Sequence, residues 1–183
     1  TTGIVMVAGE VTTNAQVDIT SVVRETIKKI GYDDSRKGFD YSTCAVLVSL
    51  GKQSADISLG VTAETSQSKE QGAGDQGIMF GYACRETPEL MPAPIYYSHK
   101  ILQLLSEARR SGVEKHLGPD AKSQVTIRYE NGKPVEATQI VVSHQHVKED
   151  LTSQQISDIV RPYVEKALPA GWITKNTKWH INP

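Results

Sequence analysis

The sequence has few cysteines, few aromatic residues and no long apolar run. Its two cysteines, Cys44 and Cys84, lie outside any C-x-x-C pair among 183 residues. Two cysteines cannot complete a tetrahedral zinc site, so we expect both to be buried free thiols, which behave as small hydrophobes. Unpaired thiols are typical of a reducing compartment, which predicts a cytoplasmic location. No apolar run approaches the roughly 18 residues that a membrane helix needs, so we expect no membrane partner.

An excess of charge of either sign is also missing. The chain has 20 basic and 21 acidic residues, a formal net charge of −1. This balance argues against a broad surface for nucleic acid, and we expect no nucleic-acid partner, although a local basic pocket is compatible with it. A hydrophobic content of 38% is enough for the core of one or two domains.

Apolar periodicity predicts alternating strands and helices. Strands are predicted at 3–11, 43–50, 77–83, 124–130, 135–147 and 177–181, and helices at 19–30, 95–110 and 152–168. Asn131-Gly132 predicts a tight hairpin, and Pro162 predicts a kink or a break in the last helix. The almost wholly apolar run at 43–50 predicts a central strand.

The order of these elements predicts the fold class. The second half has the order strand, strand, helix, strand, and the first half would match it with one more leading strand. We therefore predict an α+β fold of repeated ββαβ units, in which antiparallel-rich mixed sheets carry helices on one face.

A long polar stretch separates two apolar runs. The 27 residues from Gly51 to Gly77 are rich in Ser, Gln, Glu, Thr and Gly. Loops of that length are usually functional or disordered, so we predict a mobile loop that covers a site. Gly72, Gly74 and Gly77 match G-x-G-x-x-G, but the residues before them are polar and do not resemble a buried strand. A dinucleotide site of the dehydrogenase type is therefore a disfavoured alternative.

Four blocks carry a resemblance to a known family. They are Gly51-Lys52-Gln53-Ser54, Gly72-Ala73-Gly74-Asp75-Gln76-Gly77-Ile78-Met79-Phe80-Gly81-Tyr82, Met91-Pro92-Ala93-Pro94-Ile95 and Pro119-Asp120-Ala121-Lys122-Ser123-Gln124-Val125-Thr126. In order and spacing, over the whole chain, they resemble S-adenosylmethionine synthetase (methionine adenosyltransferase). The resemblance implies three α+β domains around a pseudo-threefold axis.

The resemblance also implies an activity. The family joins ATP to L-methionine: the methionine sulfur attacks the ribose C5′, and the tripolyphosphate that leaves is hydrolysed to phosphate and diphosphate. It implies Mg²⁺ and K⁺ as cofactors, with their ligands expected in segments missing from this chain, so we expect no metal ligands here. It further implies a homodimer or a dimer of dimers with active sites between subunits.

Site residues follow from the resemblance, position by position. It implies methionine binding by Glu10, Gln53 and Asp75, ATP binding by Asp120, Ala121 and Lys122, and a gating loop made of Gln53, Ser54, Ala55, Asp56, Ile57, Ser58, Leu59, Gly60 and Val61. Lys122 would contact the phosphates. From the residues alone, each charge or amide is as readily an exposed surface group or a turn former.

His144 and His146 are the remaining candidates for chemistry. Two residues apart on a strand, they share a face. A metal site needs three or four ligands, so without a third ligand nearby we favour a polar strand face over a metal site.

The chain begins at Thr1 inside an apolar strand pattern and ends at Pro183 just after another one. We therefore expect an internal piece of a family whose members are longer. Residues 1–71 would be part of a first α+β domain that ends in the gating loop, and residues 72–183 would be the central α+β domain. The alternative is a non-catalytic α+β fragment or interaction module, inactive without the missing segments.

Overall fold

The computed structural model describes residues 3–64, 70–148 and 150–183. Its elements follow in chain order: β1 (Ile4–Glu10), α1 (Ile19–Ile30), β2 (Asp33–Asp34), a 3-10 turn (Ser35–Lys37), β3 (Phe39–Asp40), β4 (Ala45–Gly51), α2 (Ala55–Val61), α3 (Ala93–Arg110), β5 (Leu117–Glu130), β6 (Lys133–His146), α4 (Ser153–Ala167) and β7 (Lys178–Ile181).

The main core lies between the β5-β6-β7 sheet and two helices. β5 and β6 are antiparallel, β6 and β7 are parallel, and α4 connects the parallel pair. Helices α3 and α4 contact each other as well as the sheet, which places both on one face. The largest fully buried side chains are those of Ile101, Leu105, Ile140, Val142, Ile156, Val160 and Val164. The predicted α+β class, and the ββαβ order of the second half, are confirmed.

Local signals set the ends of these elements. Asn131 and Gly132 both have positive φ, at 50° and 75°, and join β5 to β6 as the predicted hairpin. A capping box of Thr152 and Gln155 begins α4. Of the kink or break predicted at Pro162, the break does not occur: α4 continues through this exposed proline to Ala167. Burial of the apolar face of α4 outweighs the roughly 3 kcal/mol that an internal proline costs.

The first half forms a smaller, open sheet. β1 and β4 pair in parallel, with α1 between them in the chain. The prediction of a central strand at 43–50 is wrong, since β4 belongs to a two-stranded sheet within the described ranges and Leu47 is 48% exposed. An apolar run predicts a strand, but it does not specify how many neighbours that strand finds. Cys44 is buried as predicted, whereas Cys84 is only half-buried.

Polar contacts fix α1. The carboxylate of Asp18 accepts from the Ser21 N–H at 3.0 Å and caps the first turn. Gly31 ends the helix with φ 112° and donates its N–H to the carbonyl of Ile27. Arg24 donates to the carbonyl of Cys44 at 2.9 Å and so holds α1 against the start of β4.

Residues 77–83 are the second clear disagreement with the sequence analysis. The predicted strand is absent from this segment, which pairs with no described strand. Met79 and Phe80 are 92% and 91% exposed. A strand needs a hydrogen-bonded neighbour, and a short apolar run alone does not supply one.

The first turn of α3 is held by Glu86. Its Oε2 accepts from the Ala93 N–H at 2.8 Å and from the Tyr129 hydroxyl at 2.6 Å. The largest cause, desolvation by burial, acts together with the hydrogen bond to Glu86 and raises the pKa of Tyr129 to about 12. Tyr129 thus links the end of β5 to the start of α3.

This raised pKa predicts a loss of stability in alkali. The folded state keeps the Tyr129 proton above the ordinary value of 10.0, so its contribution is complete below pH 10 and is lost as the pH rises towards about 12. We expect the free energy of unfolding to fall less steeply over this window in Tyr129→Phe. Urea unfolding at pH 9 and pH 11 checks this, with absorbance titration of the tyrosines. Equal slopes in both proteins would contradict it.

Candidate nucleotide and amino-acid clefts

A cleft of about 360 Å³ opens at one end of the β5-β6-β7 sheet. The structure brings together in its wall all three residues predicted to bind ATP. It is lined by Asp120, Ala121 and Lys122 from β5, Ser143, His144 and Gln145 from β6, and Asn182 and Pro183 after β7. The side chain of Lys122 is exposed, so its ammonium group is available to a ligand.

A bulge in the sheet shapes this cleft. Leu117 pairs with His146 and Ala121 pairs with His144, so residues 118–120 of β5 face the single residue Gln145 of β6. Extra residues in one strand bend it and re-aim its side chains, and such bulges are over-represented beside active sites. Asp120 lies at the end of this bulge and Lys122 just beyond it.

The side chain of Gln145 fills the gap left by the bulge. Its amide nitrogen donates to the carbonyl of Lys37 at 2.7 Å, and its Oε1 accepts from the Asp120 N–H at 3.4 Å. Gly118 makes room for it, because a Cβ on this glycine would lie 2.7 Å from Gln145 Cδ. The cleft is therefore connected to the turn between β2 and β3.

Asn182 holds the opposite wall. Its side chain accepts from the His144 N–H at 2.7 Å and donates to the His144 carbonyl at 3.0 Å. Its own N–H donates to the carbonyl of Val142 at 2.9 Å. With φ 44°, Asn182 takes a left-handed conformation that asparagine tolerates better than most residues. The side chain thus extends the pairing of β6 one step past the end of β7.

His144 is the buried titratable group of this cleft. It is 5% exposed, and its Nδ1 lies 2.9 Å from the carbonyl of Gln145. Burial lowers the pKa of His144, with the charge of Arg109 acting in the same direction and that of Asp120 opposing it. Because the imidazole of His144 is neutral, the positive charge among the residues that line the cleft is that of Lys122.

A second cleft of about 320 Å³ lies at the ends of β1 and β4. It is lined by Val11, Thr12, Thr13, Asn14, Lys52, Gln53, Ala55 and Ser58. Of the predicted methionine-binding residues, Gln53 lines it directly. Glu10 is paired in register with Gly51, two residues before Gln53.

Asp75 follows Gly74, a glycine that lies beside Gln53 of the second cleft. The amide nitrogen of Gln53 is 3.0 Å from the position that a Cβ on Gly74 would take, which places Gly74 beside Gln53. The carboxylate of Asp75, which is exposed, accepts from the Gln76 N–H at 2.7 Å. The structure therefore brings Gln53 and Gly74 together, and Asp75 is the next residue in the chain. The first and second clefts share no lining residue.

The predicted gating loop contains a helix. Residues 55–61 form the short helix α2, an element that the sequence analysis did not predict. Residues 65–69 of the predicted loop lie outside the described residues. The N–H of Gly72 donates to the carbonyl of Val61 at 2.8 Å and brings the two sides of the segment together. Sequence reasoning missed α2 because a helix of only seven residues, with Gly60 inside it, gives little periodic signal.

Two cleft residues, Gln145 and Asn182, were missed by the sequence analysis. The neighbouring histidines drew attention to residues 144–146, but no local signal distinguishes Gln145. Its position depends on a strand register that the sequence does not display. Asn182 follows the last predicted strand, where a polar residue is ordinary.

The described part of the chain holds neither a cluster of metal ligands nor a membrane-spanning helix. Across residues 3–64, 70–148 and 150–183, no group of three His, Cys, Asp or Glu side chains could hold a metal ion. His146 instead places its Nδ1 2.7 Å from the carbonyl of Lys148. Within the same ranges, the helices are too short or too polar to cross a bilayer.

Comparison with known proteins agrees with this architecture. Residues 70–183 match the family model of the S-adenosylmethionine synthetase central domain, and residues 1–55 match that of the N-terminal domain. The chain belongs to the S-adenosylmethionine synthetase family.

Curated relatives share the similarity along the whole chain. It is 62% identical to an S-adenosylmethionine synthase of Bradyrhizobium sp. strain BTAi1 over 187 aligned positions, covering 100% of this chain and 46% of the relative. An S-adenosylmethionine synthase of Rhodopseudomonas palustris strain HaA2 is 61% identical with the same coverage, and one of Methylobacterium radiotolerans is 55% identical, with 47% of its length covered. The chain thus spans about half the length of these relatives.

Proposed function

We propose that the protein containing this chain makes S-adenosylmethionine from ATP and L-methionine, with release of phosphate and diphosphate. The observation that carries this proposal is the cleft that gathers Asp120, Ala121 and Lys122 in a member of the S-adenosylmethionine synthetase family. The names of the relatives, all S-adenosylmethionine synthases, support the same activity.

The first cleft suits the phosphates of ATP. A thioether sulfur is already nucleophilic, so the main demands on the protein are alignment of the reactants and stabilisation of the leaving tripolyphosphate. The exposed ammonium of Lys122 is a compact positive charge of the kind that binds phosphate. We assign Asp120 and Ala121 to the nucleotide beside it.

The second cleft suits an amino acid. Gln53 offers both a donor and an acceptor, and the carboxylates of Glu10 and Asp75 complement an ammonium group. We therefore assign Glu10, Gln53 and Asp75 to methionine. The segment from Gln53 to Val61, which includes α2, would open and close this cleft as the gate.

The separation of the two clefts suggests how the whole site is built. Sulfur and C5′ must meet, yet the clefts share no lining residue. We propose a homodimer or a dimer of dimers in which Glu10 and Lys122 come from different subunits. Residues 1–71 and 72–183 would be parts of successive α+β domains. We also propose a cytoplasmic location.

Mg²⁺ and K⁺ complete the proposal. The described residues offer no cluster of three ligands, so they do not fit a self-contained metal site and no step is assigned to a metal here. Magnesium usually keeps several waters and binds through one or two carboxylates and substrate phosphates. We propose that the protein ligands of Mg²⁺ and K⁺ lie in other parts of the protein.

A product assay tests the proposed activity. The complete reading frame that contains this chain is incubated with methionine, ATP, Mg²⁺ and K⁺, and S-adenosylmethionine is measured by mass spectrometry. We expect product that depends on both substrates, together with phosphate and diphosphate. Reactions without methionine are the control. A folded protein that yields no product would reject the proposal and favour a non-catalytic module.

A further inference from the structure

Gln145 occupies an unusual place in the sheet. It faces residues 118–120 of β5, where the pairing of β5 with β6 is interrupted. The backbone of Asp120 is therefore not held by the regular ladder at this point. A side chain takes over part of that function, since Gln145 Oε1 accepts from the Asp120 N–H at 3.4 Å.

The other end of the Gln145 side chain is anchored elsewhere in the molecule. Its amide nitrogen donates to the carbonyl of Lys37 at 2.7 Å. Lys37 is fixed in turn, because its Nζ donates to the carbonyl of Gly31 at 2.9 Å and pairs with the carboxylate of Asp33. Gln145 thus connects an ordered turn in the first half of the chain to the bulge in the second half.

The chemistry at this position calls for a primary amide of this length. One end must donate to a carbonyl and the other must accept from an N–H, and glutamine does both. Glutamate would place a carboxylate against the carbonyl of Lys37 and add negative charge beside the cleft. Methionine has a similar length but lacks the strong donor and acceptor.

We propose that Gln145 is a positioning residue for nucleotide binding: it fixes the bulge at 118–120 so that Asp120 and Lys122 are presented together to ATP. This assignment rests on the proposed function of the cleft. It deepens that function by linking the nucleotide cleft to the turn that carries Lys37. The second cleft, which we assign to methionine, shares no lining residue with the nucleotide cleft. A substitution of Gln145 should therefore weaken the binding of ATP and leave that of methionine unchanged.

The test compares two identical substitutions on β6 in the complete protein. Gln145→Met removes both hydrogen bonds, whereas Gln139→Met changes a half-buried glutamine paired with Thr126, away from the cleft. We expect Gln145→Met to raise the dissociation constant for ATP about tenfold, because a hydrogen bond of this kind changes a binding constant by about that factor. Calorimetry measures the dissociation constant, and KM for ATP should rise in parallel. KM for methionine should stay within about twofold of the control by the same reasoning.

The outcomes separate the assignment from the function on which it rests. Equal ATP affinity in Gln145→Met and Gln139→Met would overturn the assignment alone. An equal loss for both substrates with a lowered unfolding midpoint would also overturn it, since it would show a general structural role. If the unsubstituted protein binds no ATP, the proposed function fails and the assignment with it. Should Gln145→Met not fold, the shorter neutral amide of Gln145→Asn, which does not span both partners, is compared with Gln139→Asn by the same criteria.

Discussion

Replacing Lys122 with alanine is expected to reduce kcat/KM for ATP by about 100-fold while the fold remains intact. A loss of this size is usual when an enzyme loses one preorganised donor to a charge that develops in the transition state. Lys122 is exposed at the wall of the 360 Å³ cleft, so its removal leaves no buried cavity. The neighbouring imidazole of His144 is kept neutral by burial and does not replace the charge. Steady-state kinetics of the complete protein, with circular dichroism to verify folding, checks this prediction.

Lys133→Ala is the matched control for this substitution. Lys133 is another exposed lysine of the same hairpin, paired with Glu130 at the end next to the turn. We expect its kinetics to equal those of the unsubstituted protein. Lys122→Arg should recover only part of the activity, because a planar guanidinium replaces a compact ammonium. Unchanged turnover in Lys122→Ala would show that Lys122 does not bind the phosphates.

Replacing Gly31 with alanine is expected to lower the free energy of unfolding more than the same substitution at Gly38. Gly31 has φ 112° at the end of α1, where an L side chain is strained. Its Cβ would point directly at Arg109 Nη1 and lie 3.2 Å from Cζ. Arg109 would have to move away from the Ile30 carbonyl, to which it donates at 2.8 Å. Backbone strain of about 1 to 2 kcal/mol and one lost hydrogen bond of about 1 kcal/mol predict a total of about 2 to 3 kcal/mol.

Gly38→Ala separates these two causes. Gly38 also has positive φ, at 76°, but a Cβ there would meet no atom within 4 Å. It should therefore lose only the backbone contribution, about 1 to 2 kcal/mol. Urea unfolding of both variants gives the comparison through the free energy of unfolding. If Gly31→Ala is no less stable than Gly38→Ala, the contact between Arg109 and the end of α1 does not contribute to stability.

Helices and the hairpin were the most predictable parts of the fold. The end signals Asp18, Gly31, Asn131 and Thr152 all act within a few residues of themselves, and each marks the end of an element in the structure. The break predicted at Pro162 does not occur, and the reason is not local. The cost of an internal proline is local, but the burial of Ile156, Val160 and Val164 that outweighs it depends on α3 and the sheet.

Strand partners were the least predictable part. Residues 77–83 have the composition of a strand but no pairing within the described residues, and β4 is exposed although its sequence is that of a central strand. Local sequence determines whether a segment can be extended. Its neighbours and its solvent exposure depend on chain segments far away, which apolar periodicity does not identify.

The sequence by itself determined the family, the order of elements in the second half and the local identity of the candidate ATP residues. Those features are carried by contiguous motifs and short-range periodicity. Only the tertiary structure decided that Asp120 and Lys122 share a cleft with Gln145 and Asn182. Cleft formation requires a bulge opposite Gln145 and a parallel pairing of β6 with β7. Both are contacts between residues distant in sequence, and their register is set by the packing of the whole sheet.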